Sequence, residues 1–477
     1  MARGSGCIAA LGIGGCRPSD VLSVPAPAGA ITSGALQSQA GAENVFAGAK
    51  GALFETFAGA SSSNIFDNNA GFVQWGELLT DEFGWTEILY DPFDANIDAR
   101  TTAGGGGYYE TGDNAAQGLL AARASLLLAE GGLQRFEPPS GQVKIGEAYA
   151  LIGYTELLLA EEFCAGVPLS AVLPTGGIVY GMPLTTDSLL GVAEAHFDSA
   201  VVYAGGDATA GPLAGIGLAR ARLDRGHFAG ASEAVTGVPT TFVYNAELEP
   251  TGFGGSIQPP NLYTEEFPAA GGNCGNLNVS DREGETGLNF VTAGDPRLVI
   301  DSTLAPTCDG GTWYYPVKFG VDVHADVPLA TGIEARLIEA EAALQAGSAG
   351  EWSADINALR QTAITPAMDT LSSDSTTAAG ATEQVDVLFR ERAFWLFGTG
   401  TRLGDLRRII RQYGRDANTV FPTGPYANGT NPALPSPLPN YGTDVNLTLP
   451  TAAGEITTGI TTSNPNYKGC LTTTKTA

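Results

Sequence analysis

The chain predicts a mostly α-helical fold, a scaffold of tetratricopeptide-like helical hairpins interrupted by large irregular loops and a few short strands. Three observations carry this expectation. Several segments place apolar residues at helical spacing. Two of those segments share one pattern of small and large residues that closes on a glycine. Between them run long stretches rich in Gly, Pro, Thr and Asn, residues that favour turns over extended elements.

The elements follow in order. Residues 42–57 put Val45, Phe46, Ala49, Leu53 and Phe57 on one helical face. Residues 113–131 form the next helix, with Gly131 as its expected C-cap. Residues 144–163 form another, packing through Ala, Gly and Tyr, and Thr186 or Asp187 caps a helix over 188–204. Then two stretches echo one another. Ala219, Leu223 and Gly226 stand in the same spacing as Ala340, Leu344 and Gly347, each set followed by an aromatic, Phe228 or Trp352. Small residues let helices approach closely, and glycine permits the left-handed turn between them, as in tetratricopeptide-like hairpins. Residues 205–215, 236–330, 365–382 and 415–477 are expected to be irregular, with short strands at 288–293 and 312–319.

Composition narrows the partners. A hydrophobic content of 43% supports a real core, while 24 Lys+Arg against 51 Asp+Glu give a net charge of −27. Such a chain does not bind nucleic acid by counterion release, which needs clustered cations. Arg3, an apolar run to Gly15 and then Cys16 have the layout of an export signal. Ile13, Gly14, Gly15 and Cys16 resemble a bacterial lipobox, so residues 1–15 are expected to be removed and Cys16 lipidated. Residues 16–40 then form a tether, and the lipid is the only membrane attachment expected. Four cysteines remain, Cys164, Cys274, Cys308 and Cys470, which allow three pairings. The favoured pairs are Cys274–Cys308, closing a loop, and Cys164–Cys470, pinning the C-terminal tail to a helix end.

Catalytic and metal motifs are missing from the sequence. There is no G-x-S-x-G elbow, no P-loop, no H-E-x-x-H and no C-x-x-C. Asp94, Asn96 and Asp98 alternate as oxygen ligands but lack the glycine and distal glutamate of a calcium loop. His196 and His227 read as packing or surface residues on helices. No catalytic residue, metal or cofactor is therefore expected.

The most basic segment, "FRERAFWLFGTGTRLGDLRRIIR" over 389–411, holds six arginines and two acids. It reads as two helices joined at Gly398 and Gly400, with arginines clamped inside by the chain's many carboxylates. This segment resembles the signature of the SusD-like (RagB/SusD) outer-membrane nutrient-binding lipoproteins, although Phe394 and Gly398 replace acids usual there. "GELLTDEFGW" (76–85), "KIGEAYALIGYTELLLAEEFCAGVPLS" (144–170), "GIEARLIEAEAALQAG" (332–347), "INALRQTA" (356–363) and "NPNYKG" (464–469) resemble further landmarks of that family. The resemblance implies one SusD-like domain over 41–477. Its helical scaffold would lie mainly in 41–60, 113–235 and 332–414, and its ligand-binding excursions in 61–112 and 236–330, followed by the tail 415–477.

The resemblance also implies a function: capture of an oligosaccharide or related nutrient, without catalysis, for a TonB-dependent SusC-type transporter. The protein would sit on the extracellular face of the outer membrane. Aromatics on irregular segments suit the apolar face of a sugar ring. The candidates are Trp75, Trp85, Tyr90, Tyr108, Tyr109, Trp313, Tyr314 and Tyr315. A structural surface-layer or filament protein and a surface glycan-active enzyme are the alternative classes.

Overall fold

Helices pair with their sequence neighbours, as expected where apolar stripes are joined by short turns. The structure, a computed structural model, describes residues 37–58, 71–86, 92–101, 111–172, 178–247, 266–269, 272–275, 277–303, 306–307, 310–319, 326–426, 440–447, 449 and 470–471. Helix α1 (Gln39–Ala58) packs on α4 (Thr111–Phe136), and α5 (Gln142–Glu162) lies between α4 and α6 (Thr186–Ala204). The next hairpin joins α7 (Ala210–Asp224) to α8 (Phe228–Ala234), and a second joins α9 (Gly332–Gln345) to α10 (Ala349–Thr362). Helices α2 (Phe72–Leu79), α3 (Pro92–Asp98), α11 (Ala381–Trp395), α12 (Arg402–Tyr413) and α13 (Ala417–Val420) complete the described helices.

The two echoing segments are the two hairpins. Gly226 and Gly347 sit at their turns with φ of 76° and 75°, a region closed to most side-chain-bearing residues. Arg336 of α9 ties one hairpin to the other by donating to the carbonyls of Val235 and Val238. Leu53, Leu151, Phe197 and Leu213 are fully buried in the main core, while Trp352, Ile356 and Leu388 form a second cluster on α9, α10 and α11.

Several boundaries differ from the sequence expectation. Helix α4 runs through Gly131 to Phe136. Gly132 lies against α1, where a Cβ would stand 3.1 Å from that of Ala42, so tertiary packing carries the helix onward. The cap of α6 is Thr185, whose hydroxyl accepts from the Ser188 N–H, rather than Thr186 or Asp187. Residues 288–293 form turns instead of a strand. Asp281 Oδ1 takes the N–H groups of Val291 and Thr292 at 3.0 and 2.8 Å, supplying locally what a strand partner would have supplied.

The described strands are short antiparallel ribbons: β1 (Phe83–Trp85) with β7 (Leu277–Val279), β2 (Ala171–Val172) with β3 (Ile178–Val179), and β4 (Val243–Ala246) with β10 (Val327–Thr331). Two more pair β5 (Glu266–Ala269) with β6 (Gly272–Gly275) and β8 (Ile300–Asp301) with β9 (Tyr315–Pro316). Cys164, just past α5, is disulfide-bonded to Cys470. Cys308, the partner expected for Cys274, lies outside the described residues, as does Cys16. No described helix is long and apolar enough to cross a membrane.

Candidate functional site

The arginine-rich segment faces inward. Helices α11 and α12 meet at a turn in which Gly398 and Gly400 take φ of 67° and 69°. Arg392, Arg402, Arg407 and Arg408 are all buried there. Arg392 holds Asp405 bidentately at 2.7 and 2.8 Å. Arg408 reaches Asp224 at 3.2 Å and Glu341 at 2.9 Å. Arg407 donates to the carbonyls of Ala160, Glu161 and Phe163, satisfying groups that the end of α5 leaves open. Arg390 and Arg411 are half-buried.

The same turn explains the early "GELLTDE" element. Arg402 pairs with Asp81 at 2.8 Å, Gly398 N donates to Glu82 at 2.7 Å, and Gly400 N donates to Glu77 at 2.7 Å. Two motifs more than 300 residues apart are one buried polar lattice. Its charges are tuned by their surroundings. Burial pushes the Glu77 carboxyl up to about 7. Burial, reinforced by Glu77, raises Glu82 well above the usual carboxylate range. Burial also pushes Asp405 up, but Arg392 and Arg408 outweigh it and hold that carboxyl at about 2. The segment is a brace, with no cationic face turned to solvent for a polyanion.

A pH dependence follows from Glu77. Its folded pKa lies above the unfolded value, so its stabilising contribution is complete below about 4.5 and is lost as pH rises through about 7. A shift of this size corresponds to about 3 kcal/mol. Denaturant midpoints measured from pH 5 to 8 are expected to fall for the wild type. Glu77→Gln, which keeps an acceptor for Gly400 N, is expected to flatten that slope. An unchanged slope in the variant would refute the assignment.

The aromatics named from the sequence separate into three groups. Trp75 on α2, Trp85 on β1, Trp313 and Tyr315 are buried, with Trp75 and Trp313 only 2% and 1% exposed. An indole at that exposure offers no face to a sugar, so these residues are corrected to packing groups. For Trp313 and Tyr315 the cause is close approach to β7: Trp313 Nε1 donates to Leu277 O at 2.9 Å, and Val279 N donates to Tyr314 O at 2.9 Å. That pairing lays "WYYP" alongside β7 and turns alternate rings into the core. Tyr314 is part-buried at the core's edge. Tyr90, Tyr108 and Tyr109 lie outside the described residues.

Two surface features were not singled out from the sequence. An open trench of about 990 Å³ runs between the two hairpins, lined by His227, Phe228, Ala343, Glu339, Glu351 and Asp355. Burial raises the carboxyls of Glu339 and Asp355 there. On the other side of the scaffold, Tyr149 of α5 stacks on Tyr203 and on His196, both of α6. Tyr149, Tyr203 and His196 are all part-exposed. The seven-residue spacing of His196 and Tyr203 puts both on one helical stripe, a signal present in the sequence. What α5 places opposite that stripe was not. Among the described residues, no group of three or more His, Cys, Asp or Glu could hold a metal ion.

No protein-family model and no curated protein sequence matches the chain. Solved structures do. The surface glycan-binding protein A from Bacteroides uniformis superposes with a TM-score of 0.60 at 14% identity, covering 90% of this chain and 98% of its own. A SusD-like carbohydrate binding protein from Bacteroides vulgatus gives 0.56 at 15% identity, covering 77% and 83%. A laminarin binding SusD-like protein gives 0.56 at 13% identity, covering 81% and 96%. Identities this low speak to the backbone alone, and the backbone agrees over most of each chain. This protein has the SusD-like fold.

Proposed function

We propose that this protein is a glycan-binding lipoprotein of the outer-membrane surface that captures an oligosaccharide and passes it to a TonB-dependent SusC-type transporter. The observation that carries the reading is the fold: solved proteins described as glycan-, carbohydrate- or laminarin-binding share it over 77% or more of this chain. The lipobox-like residues ending in Cys16 supply the anchor in this reading. Its role is capture without chemistry: the brace keeps the helices fixed, while residues of the excursions contact the sugar.

Tyr108 and Tyr109, with Tyr314 at the core's edge, are the proposed sugar contacts. Alanine at all three is expected to weaken binding of the best glycan at least tenfold in calorimetry while the protein stays folded at the assay temperature. Equal affinity in the triple variant would remove these residues from the site. Cys16→Ser is expected to move the protein from the membrane to the soluble fraction; membrane retention would contradict the anchor.

A further inference from the structure

The row formed by His196, Tyr149 and Tyr203 stands on helices α5 and α6. Tyr149 lies between the other two rings, 5.5 Å from Tyr203 at an interplanar angle of 25° and 6.1 Å from His196 at 27°. These three stay part-exposed, and the His196 side chain retains 20% of its surface.

Their polar ends are fixed from beneath. His196 Nδ1 contacts Glu156 Oε2 at 2.7 Å, and Glu156 is wholly buried. Glu156 is held in turn by Arg123 Nε at 2.7 Å, and Arg123 also donates to Ser170 O. With Nδ1 engaged by that carboxylate, Nε2 is left on the ring's far edge to hydrogen-bond a ligand. Tyr149 Oη accepts from Gln134 Nε2 at 2.8 Å. Glu130 Oε1 is left without a partner.

Part-open rings, oriented acceptors and a buried support are the components of a small polar-ligand subsite. The ligand chemistry follows from the groups present. Ring surface suits the C–H face of a pyranose, while Nε2 of His196 can hydrogen-bond a hydroxyl. We propose that this row is a second saccharide-contact site, built on the helical scaffold and separate from the excursions. Only the choice of ligand class rests on the glycan-binding reading above.

The test follows the imidazole signals of His196, one of three histidines, assigned by their loss in His196→Gln. Full-length mature protein is titrated with maltotriose, laminaritriose and N,N′-diacetylchitobiose. At least one sugar is expected to shift the His196 signals saturably, and to do so equally in the Tyr108→Ala, Tyr109→Ala, Tyr314→Ala triple variant. Tyr203→Leu, which keeps apolar bulk on the helix, is expected to weaken that response at least tenfold. Tyr149→Phe keeps the stack and removes the hydroxyl that accepts from Gln134; it is expected to weaken the response severalfold even if Tyr203→Leu misfolds. Saturable heat with His196 signals that do not move would overturn the second site and leave the glycan reading standing. Absence of heat with every sugar would count against both. A response unchanged in both tyrosine variants would also overturn the proposal.

Discussion

Arg408→Ala is expected to destabilise the protein by about 3–5 kcal/mol, the range for breaking a buried ion pair from one side. Arg408 is 1% exposed and bridges α12 to two other helices through Asp224 and Glu341, and it also contacts Asp405 at 2.9 Å. Removing the guanidinium leaves three carboxyl groups in the interior, with Arg392 still holding Asp405 and nothing equivalent replacing the bond to Asp224. The comparison is Arg415→Ala. Arg415 pairs with Asp386, whose side chain is 64% exposed, and a solvent-screened pair of that kind contributes about 1 kcal/mol or less. Urea unfolding of both variants measures the contrast. A loss below about 1 kcal/mol for Arg408→Ala would show that the brace is dispensable.

Removing the Cys164–Cys470 bond is expected to cost about 2–5 kcal/mol, since the link closes a loop across 306 residues and restricts the unfolded chain. Native contacts at the junction add to this: Cys164 N donates to Leu447 O, and Leu471 N donates to Ala165 O. The double variant Cys164→Ser, Cys470→Ser separates the bond from other thiol effects. Its denaturant midpoint is expected to fall below that of oxidised wild type when both are measured without reductant. A midpoint equal to that of oxidised wild type would show that the tail is held by its hydrogen bonds alone.

Legibility in the sequence followed the range of the interactions. Gly226 and Gly347 announced their turns because a left-handed backbone leaves a local residue signature. The pairing of Cys164 with Cys470 was readable because a helix end and a tail had to be joined somewhere. The inward brace followed from charge, since six arginines in a chain of net −27 find carboxylates nearby. Ring orientation was not readable. Trp313 and Tyr315 look like loop aromatics until "WYYP" is seen beside Leu277 and Val279, a pairing no local pattern encodes. Likewise, the Tyr149 row depends on which faces α5 and α6 turn to each other. The cap moved to Thr185 because the hydroxyl that reaches Ser188 N sits one residue earlier than the helical pattern suggests.

Capture without chemistry, the proposed role, is tested by one combined measurement. Purified mature protein is titrated calorimetrically against a panel of α- and β-linked oligosaccharides, and the same samples are then analysed for chain length. Saturable heat with at least one glycan class and ligand recovered intact are expected. No saturable binding to any class, or ligand recovered in shortened form, would contradict it.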